Sequence, residues 1–304
     1  MYVRVLGSAA GGGFPQWNCG CANCAGLRSG TIAASARTQE SVAVSRDGHA
    51  WFLLNASPEI RQQIEGFSAL HPRSSRDTPI SGILVTNGDL DHCLGLLCLR
   101  EWQRFSVYAT SRVRDGFGRS VFARTLSRFD GQVTWRTLEP GREMPLLLSS
   151  GESSGLEVLA LAVPGKAPLH LSDMGSSPED NIALRIRDRE RGVTLAYLPA
   201  VGGPSPEVTE AARGADAVFL DGTFWSNDEL IRLGASDKRA EDMAHWPIGG
   251  ASGSLAWFGA LPARHRVFIH INNTNPMLRD DGAERREVER TGVTVAFDGM
   301  ELEI

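Results

Sequence analysis

The chain has 304 residues, with 31 basic against 36 acidic side chains for a formal charge of −5, and 42% of it is hydrophobic. That balance excludes disorder, collagen and coiled coil, and it gives no electrostatic footprint for nucleic acid or an anionic membrane. No apolar run approaches the roughly 18 residues of a membrane helix, and Met1-Tyr2-Val3-Arg4-Val5 opens like a strand rather than a secretion signal, so a cytoplasmic protein without membrane contact is expected.

In chain order, apolar runs punctuated by glycine or polar residues predict strands over Tyr2–Leu6, Ser41–Ser45, Trp51–Leu54, Gly82–Thr86, Ser106–Ala109 and Leu156–Val163. The series continues with Ile182–Ile186, Thr194–Leu198, Ala217–Leu220, Val267–Ile271 and Val293–Phe297. Helical patterns fall between them over Pro58–Glu65, Leu94–Trp102, Arg112–Phe122, Pro206–Arg213 and Gly253–Ala260. Interspersed strands and helices imply a layered α/β fold. The serine-rich stretch 148–155 reads as a loop, but the alternation is the same on both sides of it, which gives one domain over residues 1–304.

Two segments carry the chemistry. Cys19, Cys21 and Cys24 lie within six residues, and in a reducing compartment clustered thiols point to a metal before a disulfide. Cys93 and Cys98 flank leucines and read as core residues. In the second segment, Ile83-Leu84-Val85 runs into Thr86-Asn87-Gly88-Asp89-Leu90-Asp91-His92, a cluster of oxygen and nitrogen donors between a strand and a helix. Asp221, in Leu220-Asp221-Gly222-Thr223, and His245, in Ala244-His245-Trp246-Pro247, are candidates for acid/base work, although a turn aspartate and a core histidine are the bland readings. Gly11 to Gly13 lack the Lys and Ser/Thr of a phosphate loop and read as backbone flexibility. His49, His71, His170 and His265 carry no motif and read as surface residues.

The spaced run Asn87-x-Asp89-x-Asp91-His92 resembles the metallo-β-lactamase superfamily signature His-x-His-x-Asp-His, and the Leu54-Asn55-Ala56-Ser57-Pro58 turn and the late strand ending in His270 follow in the superfamily's order. That resemblance implies a four-layer αββα sandwich with metal ligands on loops at one edge. A narrower similarity, to the coenzyme PQQ biosynthesis protein B family, rests on Phe14-Pro15-Gln16-Trp17-Asn18-Cys19-Gly20-Cys21, on the Asn87–His92 run, on His245-Trp246-Pro247-Ile248-Gly249-Gly250 and on His270-Ile271-Asn272-Asn273-Thr274-Asn275-Pro276.

Departures from the superfamily pattern are informative. The two histidines that lead the signature are Asn87 and Asp89 here, Val163-Pro164-Gly165-Lys166 offers a lysine where another ligand is expected, and Pro199-Ala200 stands where a bridging aspartate belongs. The first of the two usual metal sites is therefore dismantled, while Asp91, His92 and His270 remain for the second. Two imidazoles and one carboxylate compose the facial triad of Fe(II) oxygenases and also a catalytic zinc site. The resemblance implies an Fe(II)- and O₂-dependent hydroxylase acting on the tyrosine-derived ring of a cross-linked Glu–Tyr diamino acid, a precursor of pyrroloquinoline quinone (PQQ). It leaves a carrier of PQQ or its precursor, and a metal-dependent hydrolase, as alternatives, and other proteins of the pathway as partners. Asp89 and Asn87 would orient water, substrate or His92; Lys166 and arginines near the mouth would meet substrate carboxylates. Related superfamily members complete a structural zinc of three cysteines with a histidine; that position is Asn273 here, so Cys19, Cys21, Cys24 and Asn273 are the expected zinc ligands.

Overall fold

The computed structural model describes residues 1–304. The first half of the chain supplies strands β1 (Tyr2–Gly7), β2 (Ser41–Ser45), β3 (Trp51–Leu54), β4 (Ile80–Leu84), β5 (Phe105–Ala109) and β6 (Val133–Thr137). The second supplies β7 (Glu143–Leu147), β8 (Ser153–Ala162), β9 (Ile182–Asp188), β10 (Val193–Leu198), β11 (Ala217–Asp221), β12 (His265–Ile269), β13 (Thr294–Val295) and β14 (Glu301–Glu303). They form two seven-stranded sheets, ordered β14-β1-β2-β3-β4-β5-β6 and β13-β12-β11-β10-β9-β8-β7. Each sheet is antiparallel on one side and parallel on the other: β3 through β6 in the first, β10 through β13 in the second.

Alternation along the strands explains the layering. Val3, Val5, Val42, Val44, Phe52 and Leu54 meet Leu156, Val158, Leu184, Leu195, Tyr197 and Phe219 in one fully buried cluster between the sheets. The opposite faces are apolar too, because helices cover them. Helices α2 (Ile60–Glu65), α3 (Leu90–Cys93) and α4 (Ser111–Gly118) lie over the first sheet. The second is covered by α1 (Ala22–Ser29), α5 (Pro206–Ala212), α7 (Ser254–Gly259) and α8 (Ala283–Arg290), with the short α6 (Glu229–Arg232) in the loop after β11. This is the αββα sandwich. No helix is long and apolar enough to cross a membrane.

Eleven strands fall where the apolar runs put them, and the departures have physical causes. β6, β7 and the short β14, which no apolar run marks, are edge strands, half-exposed and, in β7, interrupted by Pro145, so their sequences lack a buried run. The strand expected over Val293–Phe297 shrinks to Thr294–Val295. In α8 only Val288 is buried, and its charged remainder shows no period. The helix expected over Leu94–Trp102 is instead α3 followed by a 3₁₀ turn at Leu94–Leu99. Gly95 explains the change: a Cβ there would lie 2.3 Å from the Ser57 carbonyl, so the chain presses too closely on the Asn55–Ser57 turn for a regular helix. The helix expected over Arg112–Phe122 likewise ends at Gly118 and passes into a 3₁₀ turn at Val121–Leu126. Cys98 is exposed, contrary to its reading as core, because it sits on the outer side of the first of these turns; Cys93 is buried as expected.

Candidate metal centre

Every residue of the centre leaves the carboxyl end of a parallel strand or the turn after it. β3 delivers Asn55, β4 delivers the Thr86–His92 run, β11 ends in Asp221 and β12 is followed by His270. Two of these positions bend the chain sharply, with φ of 62° at Asn55 and 58° at His270, left-handed values that β-branched residues avoid. Asp91 and His92 belong to the first turn of α3 rather than to a loop ahead of a helix.

Three donor atoms converge. His92 Nε2 lies 3.2 Å from His270 Nε2 and 3.7 Å from Asp91 Oδ2, and His270 Nε2 lies 3.1 Å from Asp91 Oδ2. With bonds of about 2.1 Å, cis or tetrahedral ligands stand about 3.0 to 3.4 Å apart, so this triangle fits the face of one ion. The outer nitrogens are held as ligation requires. His92 Nδ1 can donate to Thr86 Oγ1 at 2.9 Å and His270 Nδ1 to Thr223 Oγ1 at 2.8 Å, which leaves each Nε2 free to ligate; Asn55 Nδ2, also 2.9 Å from His92 Nδ1, is itself a donor and only packs against that ring edge. The Thr86 N–H donates to Asn55 Oδ1, which fixes that amide so that its Nδ2 faces His92 and the buried carboxylate of Glu40. Gly11 explains the glycine run: a Cβ would stand 3.2 Å from Asp91 Oδ2, so its backbone lies flat against the carboxylate.

Electrostatics divide the three donors. Burial pushes His92 down to about 4, so its ring is neutral. Burial also opposes charge on His270, but the hydrogen bond to Asp91 and the charges of Asp91, Asp221 and Glu40 outweigh it and raise that imidazole to about 9. For Asp91, burial is overcome by His92 and His270, which hold the carboxyl well below the usual range. Binding of a cation there would be linked to loss of a proton from His270.

A second group sits beside the first. Asp221 Oδ2 is 2.7 Å from His245 Nδ1 and accepts from the Val201 N–H at 2.8 Å, while Thr223 Oγ1 bonds Asp221 Oδ1 at 2.5 Å. The His245 ring stacks on that of His270 with centroids 5.4 Å apart. Asp221 is fully buried yet held low, since His245 and Thr223 outweigh desolvation. Asp89 has no side-chain hydrogen bond, and burial followed by the neighbouring Asp91 raises it to about 6. Lys166 is exposed at the rim, its Nζ donating to the Asp242 carbonyl in the loop before His245.

The segments expected to have lost the other metal's ligands meet at one neutral side chain. Asn181 Nδ2 donates to the Ala200 carbonyl at 2.8 Å and the Pro164 carbonyl at 3.3 Å, and Asn87 Nδ2 donates to Asn181 Oδ1 at 3.4 Å. Asn87 therefore engages Asn181, and of the three roles expected for Asn87 and Asp89 the orientation of His92 falls instead to Thr86. Asn55, Thr223, Asn181 and Glu40 carried no sequence signal of their own beyond lying near the motifs.

The thiols form the third cluster. Cys21 caps α1, accepting from the Cys24 N–H, and the three Sγ atoms lie within 4.8 Å of one another. The Asn273 amide nitrogen stands 3.1, 3.7 and 3.3 Å from Cys19, Cys21 and Cys24 Sγ. Sulfur and oxygen ligands of tetrahedral zinc stand about 3.5 Å apart, and an amide rotated by half a turn presents its oxygen at the same point, so the four residues fit zinc.

The family described as beta-lactamase superfamily domain matches residues 50–271. Coenzyme PQQ synthesis protein B of Stutzerimonas stutzeri is 42% identical, with both chains covered in full, and that of Acinetobacter baumannii is 41% identical over the same share. The crystal structure of zinc-bound PqqB from Methylobacterium extorquens superposes with a TM-score of 0.93 at 40% identity, again over both whole chains. The chain belongs to the coenzyme PQQ synthesis protein B family of the beta-lactamase superfamily. A diphosphatase of the PhnP family, at 23% identity and TM-score 0.68, shares the fold.

Proposed function

We propose that the chain acts in PQQ biosynthesis as a mononuclear Fe(II) hydroxylase of the tyrosine-derived ring of a cross-linked Glu–Tyr diamino acid. The names of its relatives support the pathway, and one observation carries the finer reading: two imidazole–carboxylate groups share His270, but Asp221 is engaged by His245 Nδ1 at 2.7 Å, which leaves Asp91, His92 and His270 as the open ligand face, and the strand ends that would hold a partner ion are tied by a neutral Asn181–Asn87 amide contact. When bound, Fe(II) would supply the one-electron chemistry that allows O₂ to react with a phenolic ring, one oxygen atom entering a ring C–H bond and the other leaving as water with two electrons from an added reductant such as ascorbate. The surrounding residues position and move protons. Asp221 fixes Nδ1 of His245, leaving Nε2 to take the phenolic proton, and stacking holds that ring beside His270. Asp89, unpartnered and raised to about 6, exchanges a second proton near neutrality. Lys166 offers a cation at the rim for a substrate carboxylate. Zinc at Cys19, Cys21, Cys24 and Asn273 would pin the N-terminal loop to the loop that carries His270.

Two imidazoles and a carboxylate also suit Zn²⁺, and the zinc-bound relative favours as second reading a zinc-dependent hydrolase. The test is reconstitution with Fe(II) under anaerobic conditions, then exposure to O₂ with a tyrosine-like diamino acid and ascorbate, followed by mass spectrometry. Gain of oxygen only with Fe(II) and O₂ is expected. Turnover by the zinc-loaded protein without O₂, or two ions at the edge site, overturns the hydroxylase.

A further inference from the structure

Beyond the metal centre, residues 100–136 hold eight arginines against Glu101, Asp115 and Asp130, a net of +5 inside a chain whose total is −5. This segment contributes α4, the Val121–Leu126 turn and edge strand β6. Two cavities open along it, of about 490 and 550 Å³, with Phe117 and Arg119 as common walls. The larger is lined by Arg114, Arg124 and Trp135; the smaller runs to Gly88 and Leu90, the neighbours of Asp89 and Asp91.

The same face is also apolar. Val121 and Phe122, between the two cavities in sequence, are 73% and 65% exposed, and Leu169, beside the cavity wall at His170, is 90% exposed. Isolated exposed apolar residues need no explanation, but aliphatic and aromatic side chains grouped with arginine, and with no lysine among them, match the composition of protein interfaces. Arg124 makes no ion pair and is free to meet an anion, whereas Arg114 donates to its exposed neighbour Asp115 at 2.9 Å and to the Thr137 hydroxyl at 3.4 Å. Of the three exposed apolar residues, Val121 and Leu169 offer a base no face to stack on and Phe122 alone is aromatic, so a polypeptide fits the face better than a single strand.

We propose that the groove over α4, the Val121–Leu126 turn and β6 docks an acidic polypeptide segment bearing apolar side chains, laid along the outer side of the Gly88–Leu90 turn that leads into α3 and its Asp91 and His92. Its carboxylates would pair with Arg114 and Arg124, and its apolar side chains would cover Phe117, Val121 and Phe122. Electrostatic steering would then make the association salt-dependent.

A fluorescein-labelled random copolymer of glutamate and tyrosine tests this by fluorescence anisotropy on the full chain. Binding at 50 mM salt is expected, weakened about tenfold at 300 mM, about tenfold by Arg114→Glu with Arg124→Glu, and several-fold by Phe122→Ser. The milder Arg124→Gln, at an exposed position, should weaken it two- to threefold. Failure of the copolymer to bind, variants that bind like the natural chain, or equal affinity for polyglutamate or for a single-stranded DNA of the same charge would each overturn the proposal.

Discussion

The thiol cluster and the imidazole–carboxylate cluster lie at two ends of one four-residue stretch, Asn273 serving the first and His270 the second, yet they are assembled differently. Three of the four thiol-side residues come from six consecutive positions, capped onto α1, and all donors point at one another. Nothing is left open. The other cluster draws its donors from the ends of β4 and β12, in opposite sheets; His92 finds its acceptor in Thr86 beside it, with Asn55 after β3 packed against the ring, and His270 needs Thr223 from a further segment, after β11. Its donors occupy one face only. A closed tetrahedral set stabilises a fold, and a one-faced set leaves coordination positions for chemistry.

The comparison can be broken most sharply at Asp91. Asp91→Ala should abolish edge-site metal and O₂-dependent turnover, by a factor of about 10³ or more, while zinc at the thiols survives; metal analysis beside activity checks both. Cys24→Ser should do the reverse: loss of zinc and a fall in thermal midpoint by several degrees, with Fe(II) still bound when the protein is kept cold. If that variant loses both ions at once, the two clusters are one cooperative unit. Smaller is the effect at the proton-handling pair. His245→Gln should lower kcat by about 10² to 10⁴ with metal content unchanged, separating a proton carrier from a ligand. Thr223→Val removes the hydroxyl that joins Asp221 to the outer nitrogen of His270 and should weaken edge-site metal affinity by about 10- to 100-fold, read by competition with a chelator.

The last effect leaves turnover aside and concerns Glu40, fully buried behind Asn55, with its Oε1 unpartnered and its carboxyl pushed up by burial to about 8. The unfolded chain gives up this proton near the usual 4.5, before the folded chain does. Stability therefore falls as pH rises from about 4.5 towards 8, by up to about 1.4 kcal/mol per unit, and levels above it. Glu40→Gln should flatten that slope in urea unfolding between pH 5 and 8.

Much of this was legible without coordinates. Apolar runs announce strands buried on both faces, because a sheet packed between another sheet and a layer of helices must be apolar on each side. The half-exposed edge strands β6 and β7 and the charged helix α8 bury too little to leave such a trace. Asp91 and His92 stand in one spaced run and the cysteines in another, so local sequence betrays them.

Asn55, Thr223, Asn181 and Glu40 are different. Their value comes from partners 15 to 94 residues distant or from a two-residue turn whose target lies elsewhere, as with Glu40 and Asn55, Asn55 and Thr86, or Asn87 and Asn181. Sequence by itself determined which residues are able to ligate and which layers must form, since donor type and hydrophobic period are local properties. Only the packing of the two sheets decided which donors meet, which nitrogen of each imidazole is held back, and that a neutral amide ties together the strand ends expected to carry a second metal's ligands.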